Sequence, residues 1–110
     1  ARTAAVNKAT THAVPAVYAA ARIAVAVTGA VPELGFIHES SGHAFALDIA
    51  DLFRSSTTLP IAFRAAKKVQ RQPGRDIEPT ARKMAGSTLR DEDVIPHMID
   101  RIKDLLERDM

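Results

Sequence analysis

The sequence contains neither cysteine nor tryptophan, and aromatic residues make up only 5% of it. Without cysteine the chain has no disulfide bond, no zinc–thiolate site and no thiol nucleophile, and we expect a reducing, cytoplasmic location. Alanine, by contrast, is very common. A core with many alanines and few aromatic rings is typical of helices that pack closely through small contact residues.

The sequence also lacks a long uninterrupted hydrophobic run. Its most apolar segment, residues 13–30, contains Pro15 and Arg22, and its many alanines make it poorly hydrophobic. A membrane-spanning helix needs about 20 consecutive and predominantly apolar residues. We therefore interpret this segment as a buried or half-buried helix and expect no membrane partner.

The composition that remains is that of one globular domain, with 46% hydrophobic and 25% charged residues over 110 positions. The net charge of +2 permits an anionic partner without requiring one. No acidic residue precedes Glu33, and Ala1 lies in a segment already rich in helix-forming residues. We expect the chain to be a fragment of a longer protein.

Hydrophobic periodicity predicts an all-α fold: a single compact helical domain of about five helices, with an irregular loop or small hairpin around residues 34–47. The predicted helices cover residues 4–28, 44–54, 59–72 and 79–85, the fourth with an extension to residue 90 left open. A last helix, capped by Asp93, carries apolar residues at three- and four-residue spacing from Val94 to Leu106.

Proline and threonine give local predictions within these helices. Pro15 is expected to kink the first helix or to split it in two, because proline lacks the amide donor that an inner helical turn uses. Thr58 is expected to cap the third helix after a polar break over residues 55–58. The expected buried face of the first helix comprises Val14, Val17, Tyr18, Ala21 and Val25.

The central stretch, residues 34–54, holds a compact set of side chains that suit a metal ion. Asp48 and Asp51 stand three residues apart in a segment with helical periodicity, which places their Cβ atoms about 5–6 Å apart on one helix surface. An apolar stripe beside them is expected to shelter both carboxylates partly, and it comprises Phe45, Ile49, Leu52 and Phe53. Gly42, in a predicted turn, would let His38 reach the same point.

These residues lead to the hypothesis of a divalent-metal site with imidazole and carboxylate ligands. His43, in the same turn, is a weaker second candidate for an imidazole ligand. On spacing alone the alternative stays open that Asp51 simply pairs with Arg54.

The third predicted helix carries a basic stripe, which comprises Arg64, Lys67, Lys68 and Arg71, with Arg54 before the helix and Arg75 after it. Four cations with no acid among them repel one another, and a phosphate backbone is their natural counter-surface. No aromatic residue is interleaved, which favours backbone contacts over base stacking. The alternative is an ordinary solvated face.

The amino-acid sequence of the central stretch resembles the signature region of a known family. The residues that carry the likeness are Leu34-Gly35-Phe36-Ile37-His38, Phe45 and Asp48-Ile49-Ala50-Asp51-Leu52-Phe53-Arg54, with weaker agreement at Asn7, Tyr18, Gly29, Pro60, Ala62-Phe63, Pro73-Gly74 and Ile95-Pro96. The chain resembles the helical, catalytic C-terminal domain of the CRISPR-associated integrase, the metal-dependent endonuclease subunit of the spacer-acquisition complex, most closely in its type I-E form.

The resemblance implies DNA transesterification, in which the 3′-hydroxyl of a spacer strand attacks a phosphodiester of the CRISPR array. It implies that His38 and Asp51 bind a divalent metal, Mg²⁺ or Mn²⁺, and that Asp48 is a second required acid. Arg54 and the basic stripe would bind DNA. The implied partners are spacer-precursor and CRISPR-repeat DNA, a second copy of the parent protein in a homodimer, and a small ferredoxin-like CRISPR-associated subunit.

The chain departs from the family pattern at its beginning. The family has a further glutamate ligand upstream in the helical domain and, before that, a β-rich domain used for dimer contacts. Glu33 does not match that ligand, so we expect the fragment alone to have at most a weak metal site and no competent integrase activity. Two other functions stay open, which are a non-catalytic helical DNA-binding module and a dimerisation domain that uses the apolar last helix.

Overall fold

The structure, a computed structural model, describes the backbone of residues 2–29 and 39–108 and the side chains of residues 3–29 and 43–107. Five α-helices cover most of these residues: α1 (Arg2–Gly29), α2 (Glu39–Leu52), α3 (Leu59–Arg71), α4 (Ile77–Asp91) and α5 (Val94–Arg108). A π-helical turn, Arg54–Thr58, joins α2 to α3. The described residues contain no strand, which confirms the predicted all-α domain of five helices.

Helix α1 is the central element of the fold, because it packs against each of the other four helices. Its buried face consists mainly of small residues, which are Ala9, Ala13, Val17, Ala20, Ala21, Ala24, Val25 and Thr28. An alanine side chain ends at Cβ, so neighbouring helices can approach the α1 backbone closely. This confirms the expected core of alanine contacts. The predicted burial of Val14 is wrong, since its side chain is 40% exposed.

Pro15 lies within α1, which continues through it as one helix of 28 residues. The expected split into two helices is therefore wrong. Both Pro15 and Thr11, the residue whose carbonyl loses its amide donor, are exposed, so solvent can hydrogen-bond to that carbonyl. Thr3–Gly29 is also long and apolar enough to cross a membrane by composition alone. A core helix passes the same test, and the packing of α1 agrees with its interpretation as one.

Helix α2 begins at Glu39, earlier than predicted. The segment from Glu39 to Gly42 is therefore the first turn of a helix, and the predicted loop or hairpin is wrong over residues 39–47; residues 34–38 lie outside the described residues. Glutamate and serine are favourable near a helix start. A helical glycine costs about 1 kcal/mol relative to alanine, and burial of Ala46 and Ile49 outweighs this cost.

The segment between α2 and α3 is helical rather than a polar break. The amides of Thr57 and Thr58 both donate to the carbonyl of Phe53, at 2.9 and 3.3 Å. Thr58 is buried and makes no side-chain capping hydrogen bond, so its predicted role as a cap is wrong. The π-helical turn instead carries the chain from α2 directly into α3.

The last two helices agree with the periodicity. Helix α4 extends to Asp91, which confirms the extension beyond residue 85. Asp93 precedes α5 with φ of 50°, and its carbonyl accepts the first helical bond from the His97 amide at 3.1 Å. Val94, Met98 and Ile102 of α5 are buried in the core. The apolar face of α5 is therefore covered by the chain's own bundle.

Candidate metal and nucleic-acid surface

Asp48 and Asp51 lie on the outer face of α2, and both are exposed. Ile49, which is fully buried, fixes the orientation of the helix. At about 100° per residue, the Asp51 direction lies about 160° from that of Ile49, and the Asp48 direction lies about 100° from it. Both carboxylates can therefore reach a cation in solvent or on a bound partner.

The expected partial shelter of these carboxylates is wrong. Phe45 and Phe53 of the predicted stripe pack against the core, but Leu52 is 51% exposed. The residue that completes the buried face is Ala46. Alanine gives a weak hydrophobic signal, which explains why the predicted stripe was rotated toward Leu52.

The third member of the predicted site, His38, lies outside the described residues, so its convergence with the aspartates stays a prediction. Among the described residues there is no group of three or more side chains that could hold a metal ion. The alternative pairing of Asp51 with Arg54 does not occur: the ion pairs within the described part of the chain are Arg64–Glu92 and Arg82–Glu78. The α2 carboxylates are thus not neutralised by that arginine.

His43 contacts α1 rather than the two aspartates. Its Nδ1 lies 2.6 Å from the hydroxyl of Tyr18, which donates to it when the ring proton is on Nε2. The two rings meet edge to face, with centroids 5.6 Å apart. The Arg22 guanidinium carbon lies 6.0 Å from the centre of the Tyr18 ring. This contact joins the start of α2 to the middle of α1.

The basic stripe lies on α3 as predicted, opposite a buried face formed by Ile61, Ala62, Ala65 and Ala66. Lys67 and Arg71 are exposed, as is Arg54 in the π-helical turn, while Lys68 is half-buried. One cation of the stripe pairs with an acid from another part of the fold. Arg64 Nη1 lies 3.3 Å from Glu92 of the turn between α4 and α5. An exposed pair of this kind contributes about 0–1 kcal/mol, so a phosphate can compete for Arg64.

Phe63 was missed as a surface residue. Its side chain is 58% exposed on α3, and Lys67 follows it by one helical turn, so the outer face of α3 does contain an aromatic ring. The expected absence of interleaved aromatics is therefore wrong. The buried residues Ile61, Ala62 and Ala65 already define the inner face, and a helical projection of α3 from them would have placed Phe63 outside.

Comparison with known proteins identifies the family. The chain is 31% identical over 100 residues to the CRISPR-associated endonuclease Cas1 of Geobacter sulfurreducens, and the match covers 91% of this chain and 31% of that protein. It is 30% identical over 100 residues to CRISPR-associated endonuclease Cas1 3 of Methanospirillum hungatei, covering 91% of this chain and 32% of the relative. The chain belongs to the Cas1 family.

The matched region is only part of the Cas1 relatives, since the chain spans about a third of their length. The Cas1 of Escherichia coli is 27% identical over 101 residues, or 92% of this chain and 32% of that protein, and it fits the expected likeness to the type I-E form. No family model matches the sequence, and no solved structure matches it. These Cas1 relatives are named endonucleases, which agrees with the nuclease family expected from the signature residues.

Proposed function

We propose that the chain forms the catalytic helical part of a metal-dependent DNA integrase and endonuclease that inserts spacer DNA into a CRISPR array. The observation that carries this proposal is the membership of the Cas1 family together with the exposed carboxylates of Asp48 and Asp51 on one face of α2. In the reaction, a 3′-hydroxyl oxygen forms a bond to phosphorus as the bond from phosphorus to the departing 3′-oxygen breaks. The attacking hydroxyl loses a proton, and the departing oxygen gains one.

His38 and Asp51 are the proposed metal ligands, and Asp48 is the second acid. A carboxylate and an imidazole are donors that suit Mg²⁺ or Mn²⁺, and the imidazole favours Mn²⁺. When bound, the ion would neutralise charge on the phosphate oxygens and lower the pKa of the attacking hydroxyl. The role of α2 is to hold both carboxylates on a surface that DNA can approach.

Arg54 and the basic stripe are the proposed contacts to the DNA backbone. Arg54 lies two residues beyond the end of α2, so a strand held by Arg54, Lys67 and Arg71 would run near Asp51. The proposed partners are the spacer precursor, the CRISPR repeat, a second copy of the parent protein and a small ferredoxin-like subunit, and the proposed location is the cytoplasm. For these 110 residues alone we expect at most a weak metal site and no competent integration, because Glu33 does not match the further glutamate ligand of the family.

A non-catalytic DNA-binding module is the second candidate. The basic face of α3, on which Lys67 and Arg71 are exposed, favours it, and such a module requires no metal ion. Dimerisation through the apolar face of α5 has no such support, because Val94, Met98 and Ile102 are buried in the chain's own core.

The experiment that tests the metal site is a Mn²⁺ titration of the isotope-labelled chain, followed by nuclear magnetic resonance. We expect broadening centred on His38 and Asp51 at low Mn²⁺ concentration, because the unpaired electrons of the ion relax nearby nuclei. Asp51→Ala should abolish the broadening at His38. The matched control, Asp100→Ala, removes an exposed carboxylate from α5 and should leave it unchanged.

The alternatives give different results in the same samples. Broadening spread evenly over all exposed acids, or unchanged at His38 in Asp51→Ala, would contradict the metal site. If DNA binding persists in those samples, the non-catalytic module replaces the integrase. A strand-transfer assay with the 110-residue chain and Mn²⁺ should yield no joined product, and efficient joining would contradict the expected incompetence of the chain alone.

A further inference from the structure

A cleft lies between α3 and α4, on the side of the bundle where the two helices are joined by a short connection. Its volume is about 150 Å³. It is lined by one residue of α3, one of the connection and four of α4, which are Lys68, Arg75, Thr80, Lys83, Met84 and Ser87. Three of these six residues are cations, and none of them is an acid.

Two acids of this part of the chain pair with cations outside the cleft. Glu78 accepts a hydrogen bond from Arg82 at 2.6 Å, and Glu92 pairs with Arg64. Within the part of the chain that the structure describes, Lys68, Arg75 and Lys83 form no ion pair. Three like charges around one small cleft repel one another unless an anion lies between them.

Arg75 is held in place by its neighbour. Its Nε donates to the side-chain oxygen of Gln72, and the two terminal amino groups of the guanidinium have no hydrogen-bond partner among the described residues. A guanidinium with free terminal donors binds two oxygens of a phosphate at once, whereas a lysine acts as a point charge. The side of Met84 supplies an apolar wall.

The two hydroxyl groups of the cleft already donate their hydrogen bonds within the protein. Thr80 donates to the carbonyl of Asp76 at 2.7 Å, and Ser87 donates to the carbonyl of Lys83 at 3.1 Å. The hydrogen bonds available to an anion therefore come from the cationic side chains. Such a set of donors is suited to a doubly or singly charged phosphate oxyanion.

We propose that the cleft of Lys68, Arg75 and Lys83 binds a phosphate group. We assign this group to the backbone of a DNA strand that extends past the basic stripe. Only this assignment to DNA rests on the proposed function. The stripe then continues from α3 across the connection to α4, so that Lys68 belongs to both surfaces. Free inorganic phosphate offers the same chemistry and is the other source.

The test compares the chain with the double variant Arg75→Gln/Lys83→Gln. The matched control is Lys103→Gln/Arg101→Gln, which removes the same charge from α5. Inorganic phosphate is titrated into labelled protein, and a fluorescent duplex DNA is titrated in parallel at fixed salt concentration. We expect phosphate to shift the amide signals of residues 75–87. The double variant should weaken phosphate binding at least tenfold, because about tenfold is the effect of one lost charged hydrogen bond. The control should change phosphate binding less than twofold.

Each outcome decides the proposal. Weaker binding of both phosphate and DNA in the cleft variant supports a DNA phosphate, whereas weaker binding of phosphate alone supports a site for free phosphate. Equal losses in the cleft and control variants, or no shift of residues 75–87 with either ligand, would overturn the site. Circular dichroism verifies that both variants are folded. The Mn²⁺ titration is independent of these charges, so failure of the metal site is recognised separately.

Discussion

Tyr18 and His43 form a side-chain contact between α1 and the first part of α2. Their hydrogen bond of 2.6 Å joins residues 25 positions apart, across a stretch of chain that includes the predicted ligand His38. Neither residue carries a local signal for this contact, because periodicity relates only residues of the same helix. Tyr18 is one of the positions that agree more weakly with the family pattern.

We expect the Tyr18–His43 contact to contribute a measurable coupling energy. In a double-mutant cycle with Tyr18→Phe and His43→Ala, urea unfolding should give a coupling of about 0.5–1 kcal/mol, the value of one hydrogen bond accessible to solvent. The control pairs Tyr18→Phe with His97→Ala on α5, where the effects should add. Additivity in the first cycle would mean that the contact does not hold α2 against α1.

Helix α3 illustrates what periodicity predicts well and what it misses. The inner face with Ile61, Ala62 and Ala65 follows from spacing, and so does the outer position of Lys67. The contacts of that outer face with other helices and turns do not follow from spacing. The pairing of Arg64 with Glu92 depends on a turn 28 residues away, and the cleft at Lys68 exists only because α4 packs alongside.

Helix α2 shows the same division. The burial of Ile49 was predicted and is confirmed, whereas the start of the helix was placed too late. Glycine and two serines before Ala44 are typical of a turn in an isolated peptide, but contact with α1 stabilises the helical form. His38, the predicted imidazole ligand, lies outside the described residues, so its position relative to Asp48 and Asp51 stays a prediction.

Pro15 is the costliest residue of α1 on local grounds, so replacing it should stabilise the helix. Proline in a helix interior costs about 3 kcal/mol relative to alanine, and part of this cost is offset because proline restricts the unfolded chain by about 0.4–1 kcal/mol. Pro15→Ala should therefore raise the free energy of unfolding in urea by about 2–2.6 kcal/mol. The neighbouring control, Val14→Ala, should change it by less than about 0.5 kcal/mol. A lower stability of Pro15→Ala would show that the packing of α1 requires the proline geometry.

The arrangement of the whole molecule follows from α1, which is the central helix of the bundle. Every other helix packs against it, and its contact residues are largely alanines. Composition alone predicted close packing through small residues. It did not predict that one helix would provide most of these contacts, because the order of helices in space depends on the combined fit of all five. The exposed acids of α2 and the cations of α3 lie away from these contacts with α1, so they can bind a ligand without disturbing the core.

A central helix of this kind should tolerate added volume only on its outer face. Ala24 is fully buried, and Ala24→Leu inserts three carbon atoms where neighbouring helices approach the backbone, so we expect a loss of about 1–3 kcal/mol in the free energy of unfolding. Ala26 lies two residues further along α1 and is exposed; Ala26→Leu makes the same chemical change and should alter stability by less than about 0.5 kcal/mol. Urea unfolding followed by circular dichroism measures both. Equal effects of the two substitutions would mean that α1 is not packed on this side, and the bundle would then need another central element.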